Sequence, residues 1–220
     1  MRKFQIRFAA LTAIALLHFT VPFFGKKDLP GYLHSSSLKD LGHFYIPALT
    51  DSISKVNAEL VWYVGTAVYE LIAISLLLSI VFFGKGMRLA ITIFAVKFLH
   101  WGAWHFTVMP IPDDIVWEFP TWVISAAMPF TQDLWFSGHV ATSCLLVFSA
   151  FRTQLNWLKV ICIAFAVFEA WLVLACRTHY SIDILGGIAV AYCAHRISVD
   201  LEQWFLSMSK SKVTTDPQPV

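Results

Sequence analysis

The stretch FSGHVATS, Phe136–Ser143, opens one apolar run of this chain, and RTHYSIDILGG, Arg177–Gly187, opens another. Each sets a histidine beside small or polar groups at the edge of its run. In the second, Asp183 stands four residues after His179. Four residues is close to one helical turn, so the imidazole and the carboxylate share a face. In the first, Ser137 has the character of an N-cap, with Gly138 just inside and His139 in the first turn. Both stretches read as helix starts that carry polar chemistry at the entrance and an apolar body behind it.

Composition fits such helices. Of the 220 residues, 58% are hydrophobic and 14% charged, the balance of a polytopic membrane protein rather than of a soluble domain. The net charge of +2, with no dense basic stretch, gives nucleic acid no footprint. Four cysteines (Cys144, Cys162, Cys176 and Cys193) fit no zinc spacing and read as small buried apolar residues. A bilayer crossing needs about 20 mostly apolar residues. Six segments qualify, at 5–24, 58–83, 89–109, 138–153, 157–176 and 182–206, the fourth being short. The first is read as a retained helix rather than a signal peptide, because Arg7 lies inside its start and no A-x-A site follows. The expected fold is therefore all-α, a polytopic bundle of six transmembrane helices over residues 1–209. Residues 210–220 are read as a disordered cytoplasmic tail.

Lysine and arginine set the orientation. The short connections GKGMR and FRTQLNWLK are basic, whereas 110–136 has no Lys or Arg and instead holds Asp113, Asp114, Glu118 and Asp133. The lysines of the first outer loop run against this bias. Cytoplasmic N and C termini follow, and His139 and His179 then share the outer face, toward periplasm, lumen or cell exterior. The outer loop 25–56 is expected to hold a short helix around Ser37 to Tyr45.

The chemistry follows from the residue types. A carboxylate one turn from a histidine accepts its N–H, fixes the tautomer and stabilises a ring that becomes positive or covalently modified. A nucleophilic histidine needs that support. Arg177, two residues earlier, has the fork shape that suits a phosphate oxygen. The first N–H groups of a helix are unpaired and partly positive, so a phosphate fits at Ser137–Gly138. His139 beside it could protonate a leaving alkoxide. No metal ligand set is evident, so phosphoryl transfer without a metal or other cofactor is expected. Taken singly, a three-residue SGH or a helix-start His-Asp pair is as often a cap or a surface ion pair. Their shared face and chain order favour function.

These two stretches resemble the second and third signature motifs of the type 2 phosphatidic acid phosphatase superfamily, six-helix lipid phosphatases and phosphotransferases. The resemblance implies that His179 is the nucleophile, Asp183 its partner and His139 the acid for the leaving group, through a phosphohistidine. Within the superfamily the chain looks closer to the sphingomyelin synthase branch, whose C-G-D-x-x-x-S-G-H-T precedes H-Y-T-x-D-V. Here TQDLWFSGHVAT places Asp133 four residues before Ser137, HYSIDI follows, and the upstream VMPIPDD is similar to that branch's proline-rich motif. Thr131, Gln132 and Val140 stand where the branch has Cys, Gly and Thr. The phosphatase pattern K-x6-R-P is absent, because Lys97 is followed seven residues later by Trp104. Arg177 lies two residues before His179, where the phosphatase arginine lies six before. Phosphate ligands are therefore not carried over from the phosphatases.

Three outcomes stay open. A membrane phospholipid would serve as donor and ceramide or diacylglycerol as acceptor in a transferase; water would replace the acceptor in a phosphatase; a non-catalytic lipid-binding protein would keep only the fold. Oligomeric state is left open. His100 and His105 on the third span are candidates to line the headgroup pocket, against a simpler place in an aromatic belt with Trp101 and Trp104. Intramembrane Glu70, Lys97, Glu169 and Arg196 are costly. Counting rise puts Glu70, Lys97 and Arg196 roughly 20 Å below the outer interface, which favours a buried ion pair remote from His179. The apolar loop 113–136 is read as an interfacial or re-entrant roof over the site.

Overall fold

A computed structural model describes residues 39–78, 82, 86–104, 112, 115–116 and 136–213. The expected first span, the tail beyond Val213, and the proposed roof short of Phe136, apart from residues 115 and 116, lie outside the described residues, as do Asp133 and His105. Among the described residues every regular element is a helix: α1 (Leu41–Tyr45), α2 (Leu49–Ser52), α3 (Lys55–Leu78), α4 (Met87–Trp104), α5 (Gly138–Ala150), α6 (Asn156–Ala175) and α7 (Ser181–Val213).

The all-α reading thus holds for the described residues. Two helices, Asn156–Ala175 and the first 24 residues of α7, Ser181–Trp204, are long and apolar enough to cross a membrane. α6 contains neither Gly nor Pro, so nothing in its sequence interrupts the i to i−4 ladder. α7 runs on to Val213.

α5 is the central element and packs against α4, α6 and α7. Its Val140 joins Trp62, Leu172, Val173 and Cys176 in one buried cluster. Its Ala141 and Leu145 join Phe136, Val96 and Ala191 in a second. The helix is therefore covered on two sides by apolar packing, the term that dominates its stability. Gly187 permits a close approach of the α7 and α5 backbones. A Cβ there would lie 2.9 Å from the Ser137 carbonyl oxygen and 3.3 Å from the Ala141 nitrogen, both backbone atoms.

Polarity is inverted relative to a soluble bundle. Glu169, Asp183, Ser137 and Ser143 are buried, whereas Val160, Val167, Leu185 and Ile197 are each more than half exposed. Polar groups that face a bundle interior and apolar groups that face outward are the pattern lipid imposes. The four thiols are free; Cys176 is buried, whereas Cys193 is exposed on α7, contrary to the reading that all four are buried.

One expectation needs correction. Lys97 was placed far from His179 by counting rise down α4. That count assumes that α5 begins level with the end of α4, and it does not. A Cβ on Gly138 would lie 2.9 Å from Lys97 Nζ and 3.7 Å from the His100 ring. α5 therefore starts beside Lys97 and His100, one to two turns short of Trp104, or about 6–10 Å along α4. The same offset fits the shortness of the fourth apolar segment: the helix it forms, α5, has 13 residues and begins part-way along the bundle.

Candidate active site

The turn between α6 and α7 presents His179. α6 ends at Ala175 with Cys176 as its C-cap, and Arg177 then adopts a left-handed backbone with φ 56°, a conformation that costs a non-glycine residue about 1–2 kcal/mol. The turn is held by its hydrogen bonds. The Val173 carbonyl accepts from Thr178 N–H at 3.0 Å, His179 N–H at 3.3 Å and the Thr178 hydroxyl at 3.0 Å. Arg177 N–H donates to the Leu174 carbonyl.

Asp183 opens α7 and is fully buried. Its Oδ2 accepts from Tyr180 N–H at 2.9 Å and faces His179 Nδ1 at 3.2 Å. The first bond is half of a capping box. The second fixes the tautomer, because an ionised carboxylate only accepts: Nδ1 carries the proton and Nε2 keeps its lone pair. Among the described residues, Asp183 Oδ1 has no hydrogen-bond partner.

The start of α5 lies alongside. Ser137 Oγ accepts from Val140 N–H at 3.3 Å, which is the N-cap expected from the sequence. Ser137 N–H donates to the Asp183 carbonyl at 2.9 Å. That bond joins the two motifs directly. Gly138 and His139 occupy the first two helical positions, where no carbonyl of the helix can reach the N–H groups. The His139 ring packs on Tyr69 at 4.8 Å and edge-on to Trp62 at 5.9 Å. Trp62 Nε1 is buried and has no hydrogen-bond partner among the described residues. The His100 ring stands edge-on to Phe136 at 5.0 Å. Lys97 Nζ sits 5.5 Å from the Tyr69 ring centre, a cation–π distance. Lys97, His100 and His179 all lie within electrostatic reach of His139.

The structure thus gathers His139, His179, Asp183, Ser137, Gly138 and His100. Arg177 is adjacent, but its guanidinium donates to the backbone carbonyls of His43 at 3.2 Å and Leu174 at 3.5 Å. Two contributors escaped the sequence reading. Lys97 was visible as an intramembrane cation but was assigned the wrong depth. α1 falls within the short helix expected around Ser37 to Tyr45, but no role was assigned to its Asp40 and His43. Asp40 Oδ2 accepts from the Ser181 N–H at 2.9 Å and hydroxyl at 2.7 Å, and its Oδ1 accepts from His43 N–H at 2.9 Å. His43 Nε2 lies 2.8 Å from the His179 carbonyl oxygen and donates to it. Burial alone would raise the Asp40 carboxyl; its hydrogen bonds from Ser181 and His43 outweigh that and hold it below the usual carboxylate value. Burial, aided by the nearby Arg177 charge, pushes His43 below the usual histidine value.

Residues 132–198 match the family model described as PAP2 superfamily C-terminal. The matched segment encloses His139, His179 and Asp183. It supports the PAP2 superfamily, and with it a phosphatase- or phosphotransferase-type lipid enzyme in general. With the two apolar helices, it points to a membrane protein. No curated protein and no solved structure matches the chain.

Proposed function

We propose that this protein is a membrane lipid phosphotransferase that moves a phospho-headgroup between lipids, in the manner of the sphingomyelin synthase branch. The observation that carries the reading is the His179–Asp183 pair, joined through the Asp183 carbonyl to the helix start that bears His139. In this reading six helices cross the membrane with both termini cytoplasmic, and the site opens to the outer side.

The donor phosphate rests against the Gly138 and His139 N–H groups and the Lys97 ammonium, which together offset its charge. His179 Nε2 attacks phosphorus, and the bond from phosphorus to the leaving oxygen breaks. His139 gives that oxygen its proton. Asp183 stabilises the positive ring of the phosphohistidine. An acceptor hydroxyl of ceramide or diacylglycerol then loses its proton to His139 and attacks phosphorus. The N–P bond breaks and both histidines return to their starting states. Arg177, with its fork on two carbonyls, shapes the turn in this scheme instead of holding phosphate.

A second reading, lipid phosphate hydrolysis, is favoured by Lys97. The phosphatase pattern begins with a lysine, and here a lysine meets the helix start that would hold phosphate. Purified protein in mixed micelles, given headgroup-labelled phospholipids and ceramide beside His179→Ala, tests both by mass spectrometry. Label on ceramide, absent in the variant, is the expected result. Free phosphate or headgroup phosphate without transfer would move the protein to the hydrolases. Turnover that survives in His179→Ala would refute the mechanism.

A further inference from the structure

We infer that α1 is a positioning strap for the nucleophile, with Asp40 and His43 as its working residues. The inference rests on the assignment of His179 as that nucleophile. Three contacts hold the strap, one after His179, one at it and one before it. On the C-terminal side, Asp40 takes both donors of Ser181, the first residue of α7. At His179 itself, His43 donates to the backbone carbonyl. Arg177 closes the ring from the N-terminal side by donating to the His43 carbonyl. The His43 ring also stacks against Tyr180 at 5.3 Å.

Four of the five residues from Arg177 to Ser181 thus meet a segment more than 130 positions earlier in the chain. The fit is close. A Cβ on Gly42 would lie 2.9 Å from Ser181 Cβ and 3.0 Å from Asp40 Oδ1. None of these contacts falls on the His179 ring. The ring is aimed by Asp183, and the strap fixes the backbone from which it projects. A left-handed residue at Arg177 would otherwise leave this backbone free to relax. Nucleophile placement within a fraction of an ångström matters to in-line transfer and not to resting phosphate, so the strap acts on the transition state more than on ground-state binding.

The full chain in detergent is titrated with orthovanadate, which takes a fifth ligand in the geometry of phosphoryl transfer, and with orthophosphate. The variants are Asp40→Asn, His43→Phe, His43→Gln and His179→Ala. Asp40→Asn sets an amide N–H₂ against the Ser181 N–H. His43→Phe keeps the ring on Tyr180 but loses the donor, whereas His43→Gln restores a donor at similar reach. Asp40→Asn and His43→Phe are expected to lose about tenfold or more in vanadate affinity, with phosphate affinity held within about twofold. His43→Gln is expected to recover most of the loss. Unchanged vanadate affinity in His43→Phe, parallel loss of both anions, or a Gln variant as poor as the Phe variant would each overturn the strap. The His43 pair decides the matter even if Asp40→Asn does not fold. Wild-type protein without a vanadate preference, or His179→Ala with an undiminished one, would instead overturn the nucleophile assignment and the strap with it.

Discussion

Gly187→Ala puts the junction of the two motifs to the test. The new Cβ would meet the Ser137 carbonyl oxygen at 2.9 Å and the Ala141 nitrogen and Val140 Cβ at 3.3 Å. None of these is the loose end of a side chain, so α5 must move from α7 by about half an ångström to restore ordinary contact. Overpacking of this kind costs about 1–3 kcal/mol. Alanine returns up to about 1 kcal/mol of helix propensity. The net loss is about 1 kcal/mol, which for a chain of this size lowers Tm by about 2–4 °C. The effect on turnover is larger, because the start of α5 carries His139 and the same movement separates it from His179. If a misplacement of 1 Å costs about a hundredfold, half of that costs about tenfold. Thermal unfolding in micelles and product formation from labelled phospholipid measure the two effects. Gly186→Ala, one residue away at a half-buried position, is the control and is expected to match or exceed wild-type stability. Wild-type turnover in Gly187→Ala would refute the argument that this contact sets the distance between the motifs.

Other outcomes follow from the same geometry. Asp183→Asn keeps the backbone bond to Ser137 but sets the wrong tautomer on His179, so turnover should fall by about two to four orders of magnitude with Tm nearly kept, as paired kinetic and melting measurements would show. Gly138→Ala meets only the flexible tip of Lys97 and the edge of His100; it should fold normally and weaken inhibition by orthophosphate by about tenfold, and unaltered inhibition would remove Lys97 from the phosphate site. His43 titrates below its unfolded value, so the stability it contributes is complete above about pH 6.5 and is lost as pH falls from there toward its lowered folded value. Melting curves between pH 7 and pH 5 should therefore steepen in wild type relative to His43→Gln, which cannot titrate. Asp40, Arg177 and Asp183 all act on that histidine, so the comparison is made with those three intact. Glu202, shared between Arg88 and Arg152 in an exposed cluster, is worth about 1 kcal/mol or less, and Glu202→Gln should leave turnover unaffected.

The parts of the site legible in the sequence are those that one helical turn can encode. Ser137 as N-cap and His179 over Asp183 are both relations of three or four residues. The all-α character and the helix positions also follow from local apolar runs. Relations across the bundle were not legible. Lys97 was noticed for its charge, but its neighbour Gly138 depends on where α5 starts relative to α4, which no residue count along one helix contains. Asp40 and His43 do have a local relation, a cap three residues from its donor, yet what they do lies at Ser181 and His179. Gly187 shows the same limit, since only the packed structure reveals which glycine of the Gly186–Gly187 pair faces the Ser137 carbonyl.

Asp183 holds the site together with two different atoms. Its side chain faces the histidine, while its backbone carbonyl holds the start of α5. Substitution can remove the first and cannot remove the second. Chemistry and architecture are therefore separable at this one position. On the proposed mechanism, a single substitution there would withdraw the support of the nucleophile and leave the helix start that would hold the anion in place, so binding without turnover lies one residue away.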